Sequence, residues 1–175
     1  PETWREQLGL PPQYFLTASR LVEKKNVAGL LRAYGAYVSQ AGANPWPLLI
    51  AGDGTLMDEL QTLASSLKLV GLVRFLGYLS SEQMAPVYAV ASVFILASSH
   101  SEQWGLVVNE AMAAGLPVLV SRVCGCVSDL VLDGMTGFAF NPAENAQLTS
   151  LLVGCASGQF DLLRMGQKAR RQIVL

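Results

Sequence analysis

Residues 93–120 read Val93-Phe94-Ile95-Leu96-Ala97-Ser98-Ser99-His100-Ser101-Glu102-Gln103-Trp104-Gly105-Leu106-Val107-Val108-Asn109-Glu110-Ala111-Met112-Ala113-Ala114-Gly115-Leu116-Pro117-Val118-Leu119-Val120. Val93 to Leu96 is a short continuous apolar run, rich in β-branched and aromatic residues, and is expected as a buried strand. Val107 to Ala114 is expected as a helix of small and apolar residues, stopped by Gly115-Leu116-Pro117 before a second strand, Val118 to Val120. Two carboxylates, Glu102 and Glu110, flank Gly105 in a half of the chain where acids are scarce. A core-facing segment gains nothing from burying unpaired carboxylates, so what they hold is the main question about function.

The same strand–helix rhythm runs through the rest of the chain. Tyr14 to Ala18, Leu48 to Ala51, Val73 to Leu76 and Gly137 to Phe140 read as strands. Between them, Val27, Leu30, Leu31, Tyr34 and Val38 recur at helical spacing, as do Met57, Leu60, Leu63 and Leu67. Ser80 to Gln83 has capping-box spacing, and Asn141-Pro142-Ala143-Glu144 is expected to open a helix with Asn141 as its cap. Continuous rather than alternating apolar runs imply strands covered on both faces, hence a parallel sheet. The pattern predicts one doubly wound, Rossmann-like α/β domain of about six strands over residues 1–175.

Composition agrees with a sheet covered on both sides, or with a face that meets another domain. Hydrophobic residues make up 51% and charged residues 14%, yet no apolar run reaches the length of a membrane span. A net charge of −1 gives no reason to expect nucleic acid. Three cysteines in a chain this large need not be staples and suit a reducing, cytoplasmic compartment. Cys124-Gly125-Cys126 is too tightly spaced for a usual zinc pair and the single histidine, His100, is remote in sequence, so no metal site is expected. The chain opens at Pro1 without a signal-like segment and reads as an excised domain.

In a sheet of this kind, ligands bind where strand ends lead into helix N-termini. The unusual residues cluster there: Arg20 to Lys25, Gly52 to Gly54, Gly77 to Ser81, Ser98 to Gly105 and Ser121 to Asp129. If residues 102–110 were one helix, the two glutamate backbones would stand roughly 12 Å apart. Carboxyl pairs that flank one glycosidic bond lie about 5 to 9.5 Å apart. Gly105 reads instead as the loop-to-helix junction, leaving Glu102 in the loop and Glu110 on the second turn. Amides from Trp104 to Val107 would then face the space between them as an anion site. Solvated or capping glutamates are the plainer reading, and for Arg20 and Lys25 it is a solvated loop. Arg20, Lys25 and those amides could together balance a diphosphate. Gly52-Asp53-Gly54 lacks the third glycine of a dinucleotide fingerprint and reads first as a tight turn, then as a close approach to ligand.

Taken in order, these segments resemble the C-terminal, donor-binding domain of family 4 glycosyltransferases, retaining enzymes of the GT-B fold. Ser19-Arg20-Leu21-Val22-Glu23-Lys24-Lys25 is similar to that family's Gly-Arg-Leu-x-x-x-Lys loop. Glu102 and Glu110, with Ala111-Met112-Ala113-Ala114-Gly115-Leu116-Pro117-Val118, resemble its signature, and Asp133-Gly134-Met135-Thr136-Gly137-Phe138 its closing block. The sequence departs from the pattern at Ser19 and Asn26, where glycine is usual, and at Cys124-Gly125-Cys126-Val127-Ser128-Asp129, which replaces a Gly-Gly-x-Pro-Glu-like turn.

The resemblance implies a nucleotide-diphosphate sugar as substrate, a UDP-sugar first, with no separate cofactor and no metal. Arg20 and Lys25 would hold the diphosphate, Glu110 the ribose hydroxyls and Glu102 the transferred sugar. Gln103, Trp104, Gly105, Leu106 and Val107 would meet phosphate and sugar, with Gly52, Gly54 and Leu79 completing the donor site. Sugar transfer would proceed by front-face attack, and the isolated domain would bind donor but turn over poorly. The family's N-terminal acceptor domain and its final crossing helix are expected to be missing from this chain, and the full-length enzyme could associate peripherally with a membrane. A sugar-nucleotide epimerase or phosphorylase of related fold, or a non-catalytic nucleotide-sugar-binding or interaction module, remains open at this point.

Overall fold

The computed structural model describes residues 2–174. After a short helix, α1 (Glu2–Leu8), strands and helices alternate: β1 (Phe15–Ala18), α2 (Val27–Gln40), β2 (Leu48–Ala51), α3 (Met57–Ser66), β3 (Val73–Gly77), α4 (Ser81–Val90) and β4 (Val93–Leu96). The second half continues with α5 (Leu106–Ala113), β5 (Val118–Ser121), a single turn α6 (Val127–Leu130), β6 (Gly137–Phe140), α7 (Asn145–Ala156) and α8 (Leu162–Val174). All strand pairs are parallel, in the order β3-β2-β1-β4-β5-β6. The sheet is therefore a doubly wound α/β sheet whose order reverses between β1 and β4.

Alternate side chains of each central strand feed two separate cores, as the pleat requires. Leu16, Leu49, Phe94 and Val118 pack on one face beneath α4, α5 and α8. Phe15, Leu48, Ile50 and Ile95 pack on the other, beneath α2, α3 and α7. Phe15 is the centre of an aromatic cluster, with ring centroids of Tyr37 and Trp46 each at 5.4 Å. Both faces of β1, β2, β4 and β5 are closed to solvent, which is why their sequences are apolar without alternation.

The capping box at Ser80 forms in both directions: Gln83 N donates to Ser80 Oγ, and Ser80 N donates to Gln83 Oε1. The helix start expected at Asn141 does not form there. Asn141 instead builds a turn, accepting from Ala143 N at 3.1 Å and donating to Glu144 Oε1 at 2.7 Å, and α7 begins only at Asn145 with Glu144 as its N-cap. Asn and Pro serve a turn as readily as a cap, and here the turn wins because Asn141 N also donates to Gln147 Oε1. A further helix, α8, lies beyond the expected elements, with Leu162, Met165, Ala169 and Ile173 recurring at helical spacing. That helix seats on the α5–β5 connection through a bare contact: a Cβ on Gly166 would lie 2.0 Å from Gly115 O.

Candidate functional site

The carboxyl ends of β1 and β2, the turn after β3, and the facing sides of α4 and α5 enclose a cleft of about 790 Å³. It opens at the point where strand order reverses, the position at which such sheets bind ligands. Its floor is made by Ala18, Ser19, Ala51 and Gly52, and its apolar wall by Leu79, Met84, Ala85, Val107 and Ala114. Charged and phenolic groups converge on it: Arg20 from the loop after β1, Asp53 from the loop after β2, Tyr88 from α4 and Glu110 from α5. Tyr78 stands at the lip, 77% exposed.

Arg20 is exposed at the cleft, and no hydrogen-bond or salt-bridge partner reaches its side chain among the described residues. A guanidinium left without a partner at the mouth of a cleft is available to an anionic ligand. Glu110 is exposed on the second turn of α5, and its carboxylate accepts one hydrogen bond, from Tyr88 Oη at 3.0 Å. Burial first, and then the Glu110 charge, push the Tyr88 phenol up, so it stays protonated and donates.

Lys25 and Glu102 lie beside this cleft rather than in its lining, and they meet each other. Lys25 Nζ donates to Glu102 Oε2 at 2.6 Å, with both side chains 14% exposed. Ser98 Oγ, fully buried at the end of β4, donates to the same oxygen at 2.8 Å. Burial alone would push Glu102 up, but the hydrogen bonds from Lys25 and Ser98 and the nearby ammonium charges outweigh it and hold the carboxyl below its ordinary value. A carboxyl lowered by folding stabilises the fold above its unfolded-state value and loses that contribution as pH falls. The urea midpoint is therefore expected to drop between pH 7 and pH 3, and to drop less in Glu102→Gln. Identical pH slopes in the two proteins would show that the pair contributes nothing.

The loop around Glu102 is held from below by the cysteine turn. Glu102 N donates to Val123 O at 3.1 Å, Gly125 N to Glu102 O at 2.9 Å, and Cys126 N to Trp104 O at 3.3 Å. A Cβ on Gly125 would lie 2.0 Å from Gln103 O, so only glycine lets the two loops meet this closely. Cys124 and Cys126 are buried free thiols, and burial pushes the Cys124 thiol up to about 12 and the Cys126 thiol up to about 11. Their role here is packing, and no cluster of three metal-ligating side chains occurs among the described residues.

Gly105 is the junction into α5, with φ +100°, and no side chain caps the helix. Leu106 opens that helix with its side chain exposed, while Trp104 turns inward and donates from Nε1 to Asn109 Oδ1 at 2.7 Å. Gln103 is exposed, and Gly54 packs under Leu21, where a Cβ would lie 2.4 Å from Leu21 O. Of the residues singled out from the sequence, Arg20, Gly52, Leu79, Val107 and Glu110 thus line one cleft. Lys25, Glu102, Gly54 and the Gln103–Leu106 turn flank it. Asn26 explains its own departure: it adopts φ +52°, caps α2 through Gly29 N and donates to Ala97 O at 3.1 Å. Asparagine is the residue after glycine that best tolerates this left-handed conformation.

Tyr88, Met84, Ala85 and Ala114 were not legible as site residues. They occupy positions that read as core or as plain helix surface, and only the helix–helix geometry turns them toward the cleft.

The sequence profile of the family described as glycosyl transferases group 1 matches residues 2–172. The chain belongs to that family. As a group 1 glycosyl transferase it is 34% identical over 176 residues to a D-inositol 3-phosphate glycosyltransferase of Streptomyces avermitilis, a match covering 95% of this chain and 38% of the relative. It is 38% identical over 96 residues to the sulfoquinovosyl transferase SQD2 of Arabidopsis thaliana, covering 53% of this chain and 18% of that one. Among solved structures, Anabaena HepE in complex with UDP and glucose matches with a TM-score of 0.83 and 25% identity, over 98% of this chain and 46% of that chain. The chain spans less than half the length of each of the relatives named here.

Proposed function

We propose that this chain is the donor-binding domain of a retaining, family 4 glycosyltransferase that moves a hexose from a nucleotide-diphosphate sugar to an acceptor held by a further domain. The observation that carries the reading is the cleft at the strand-order reversal, with the Arg20 guanidinium, unpartnered among the described residues, and the exposed Glu110 carboxylate in one lining. Arg20 would take the diphosphate. Glu110 would accept hydrogen bonds from the ribose hydroxyls, and the Tyr78–Leu79 backbone would meet the base at the lip. The UDP and glucose bound by HepE favour a UDP-sugar.

In the transfer step, charge develops on the departing diphosphate, and preorganised cations and helix amides lower its energy without reorganising. Arg20 and the uncapped start of α5 supply that field, and it needs no metal ion. Lys25 can add to it only by exchanging Glu102 for phosphate. That exchange would free the Glu102 carboxylate to accept from hydroxyls of the transferred sugar. A cytoplasmic protein fits the three buried free thiols. No helix among the described residues is long and apolar enough to cross a membrane.

Titration calorimetry with UDP-glucose, GDP-mannose and ADP-glucose tests the reading. One nucleotide is expected to bind, with UDP-glucose the tightest, and to weaken at least tenfold in Glu110→Ala. Binding of none of them would favour an interaction module. Efficient acceptor glycosylation by these 175 residues alone would overturn the division of labour between domains.

A further inference from the structure

We infer that Tyr88 is the positioning residue of the donor site: its hydroxyl holds the Glu110 carboxylate in the one orientation that can receive both ribose hydroxyls. The inference rests on the reading of Glu110 as the ribose carboxylate and adds to it a residue that the sequence motif does not contain.

Glu110 projects from an eight-residue helix into open cleft, and no cation or amide fixes it among the described residues. An exposed glutamate samples several rotamers, and freezing it on a ligand costs side-chain entropy. Tyr88 removes part of that freedom in advance. The tyrosine is 4% exposed, its ring packs against Phe94 with centroids 5.8 Å apart, and α4 beneath it is anchored by the Ser80–Gln83 capping box. Tyr88 lines the cleft, and its hydroxyl donates to Glu110 Oε2 at 3.0 Å.

One carboxylate oxygen is thereby fixed, while Oε1 and the second lone pair of Oε2 stay free. That is the acceptor capacity two vicinal hydroxyls require. The phenol gives its single proton to Glu110, so its own oxygen remains an acceptor toward the same space. A buried tyrosine would ordinarily satisfy its hydroxyl on a backbone carbonyl, as Tyr14 does on Val87 O at 2.6 Å and Tyr34 on Trp46 O at 2.8 Å. Tyr88 differs from both in spending its proton on an exposed acid inside the cleft.

The test compares UDP with its 2′,3′-dideoxy analogue, which lacks both ribose hydroxyls, by calorimetry on the parent chain, Tyr88→Phe, Glu110→Ala and the double variant. Tyr88→Phe is expected to raise the UDP dissociation constant roughly five- to tenfold, as loss of one charge-assisted, preorganising hydrogen bond should. Its effect on the dideoxy analogue should be under about twofold, and in the Glu110→Ala background it should add nothing. Equal weakening of UDP and the analogue, or an undiminished effect without Glu110, would mean that the hydroxyl acts through the fold, and overturns the inference. A Glu110→Ala effect with no Tyr88→Phe effect overturns it alone. UDP binding that is absent, or indifferent to Glu110→Ala, overturns the ribose reading and this inference together.

Discussion

Arg20→Ala is expected to weaken UDP binding by roughly ten- to a hundredfold while leaving the fold as stable as before. The two halves of that expectation come from the same fact. The Arg20 side chain is exposed at the cleft and makes no hydrogen bond or ion pair among the described residues, so truncating it breaks nothing that the unliganded fold uses. Surface substitutions of this kind stay within about 0.5 kcal/mol. On a diphosphate, the same guanidinium offers parallel donors to two oxygens, and a hydrogen bond to a charged group is worth about 1.5–3 kcal/mol. Arg20→Lys should recover only part of the loss, because an ammonium supplies charge without the planar fork. The gap between parent and Ala variant should also narrow with added salt, since the Debye length falls from about 10 Å at 0.1 M to about 3 Å at 1 M. Calorimetry for binding and thermal melting for stability check both halves. A dissociation constant within twofold of the parent would remove Arg20 from the site. A fallen melting point with unchanged affinity would show a structural role that the geometry does not reveal.

How far such residues are readable from one sequence depends on whether their neighbours are local. The strands were legible because burial on both faces leaves continuous apolar runs, and Leu48–Ala51, Val93–Leu96 and Gly137–Phe140 match the expected bounds. Gly105 was legible as a helix junction because glycine before an apolar helix has few other uses, and it takes φ +100°. The Asn141 turn was misread as a cap because the deciding contact, to Gln147, depends on where α7 lies. A seven-residue helix such as α1 has little periodicity to show, whereas α8 was legible in the helical spacing of Leu162, Met165, Ala169 and Ile173, although it is not among the expected elements.

The site divides in the same way. That Arg20, Glu102 and Glu110 sit at one end of the sheet follows from strand order. That Lys25 closes onto Glu102 rather than opening to the cleft needs a contact 77 positions apart in sequence, and Tyr88 meets Glu110 across 22. Spacing within a motif contains neither of these pairings.

Gly52→Ala is the substitution expected to damage the fold most, by about 3 kcal/mol or more. Two separate penalties fall on it. The residue adopts φ +128°, a conformation that costs a side-chain-bearing residue of order 1–3 kcal/mol. An added Cβ would also lie 1.8 Å from Ser19 O, a backbone atom that cannot rotate away. Relief requires parting the ends of β1 and β2, which are joined there by Ser19 N to Ala51 O at 3.1 Å and Leu21 N to Asp53 O at 2.8 Å. It would also loosen β3, where Gly52 N donates to Gly77 O at 2.7 Å. Because the parted segments are the cleft floor, donor affinity should fall with stability, in contrast to Arg20→Ala. Gly42→Ala separates the two penalties: Gly42 has φ +70° with nothing within 4 Å of an added Cβ, so it should lose only the conformational share, about 1–2 kcal/mol. Urea unfolding of both variants, with UDP titration of each, gives the comparison. If Gly52→Ala unfolds at the Gly42→Ala midpoint, the close approach to Ser19 is not a constraint. If it keeps the parent midpoint and loses only donor binding, the bare backbone at Gly52 serves the ligand rather than the packing of β1 against β2.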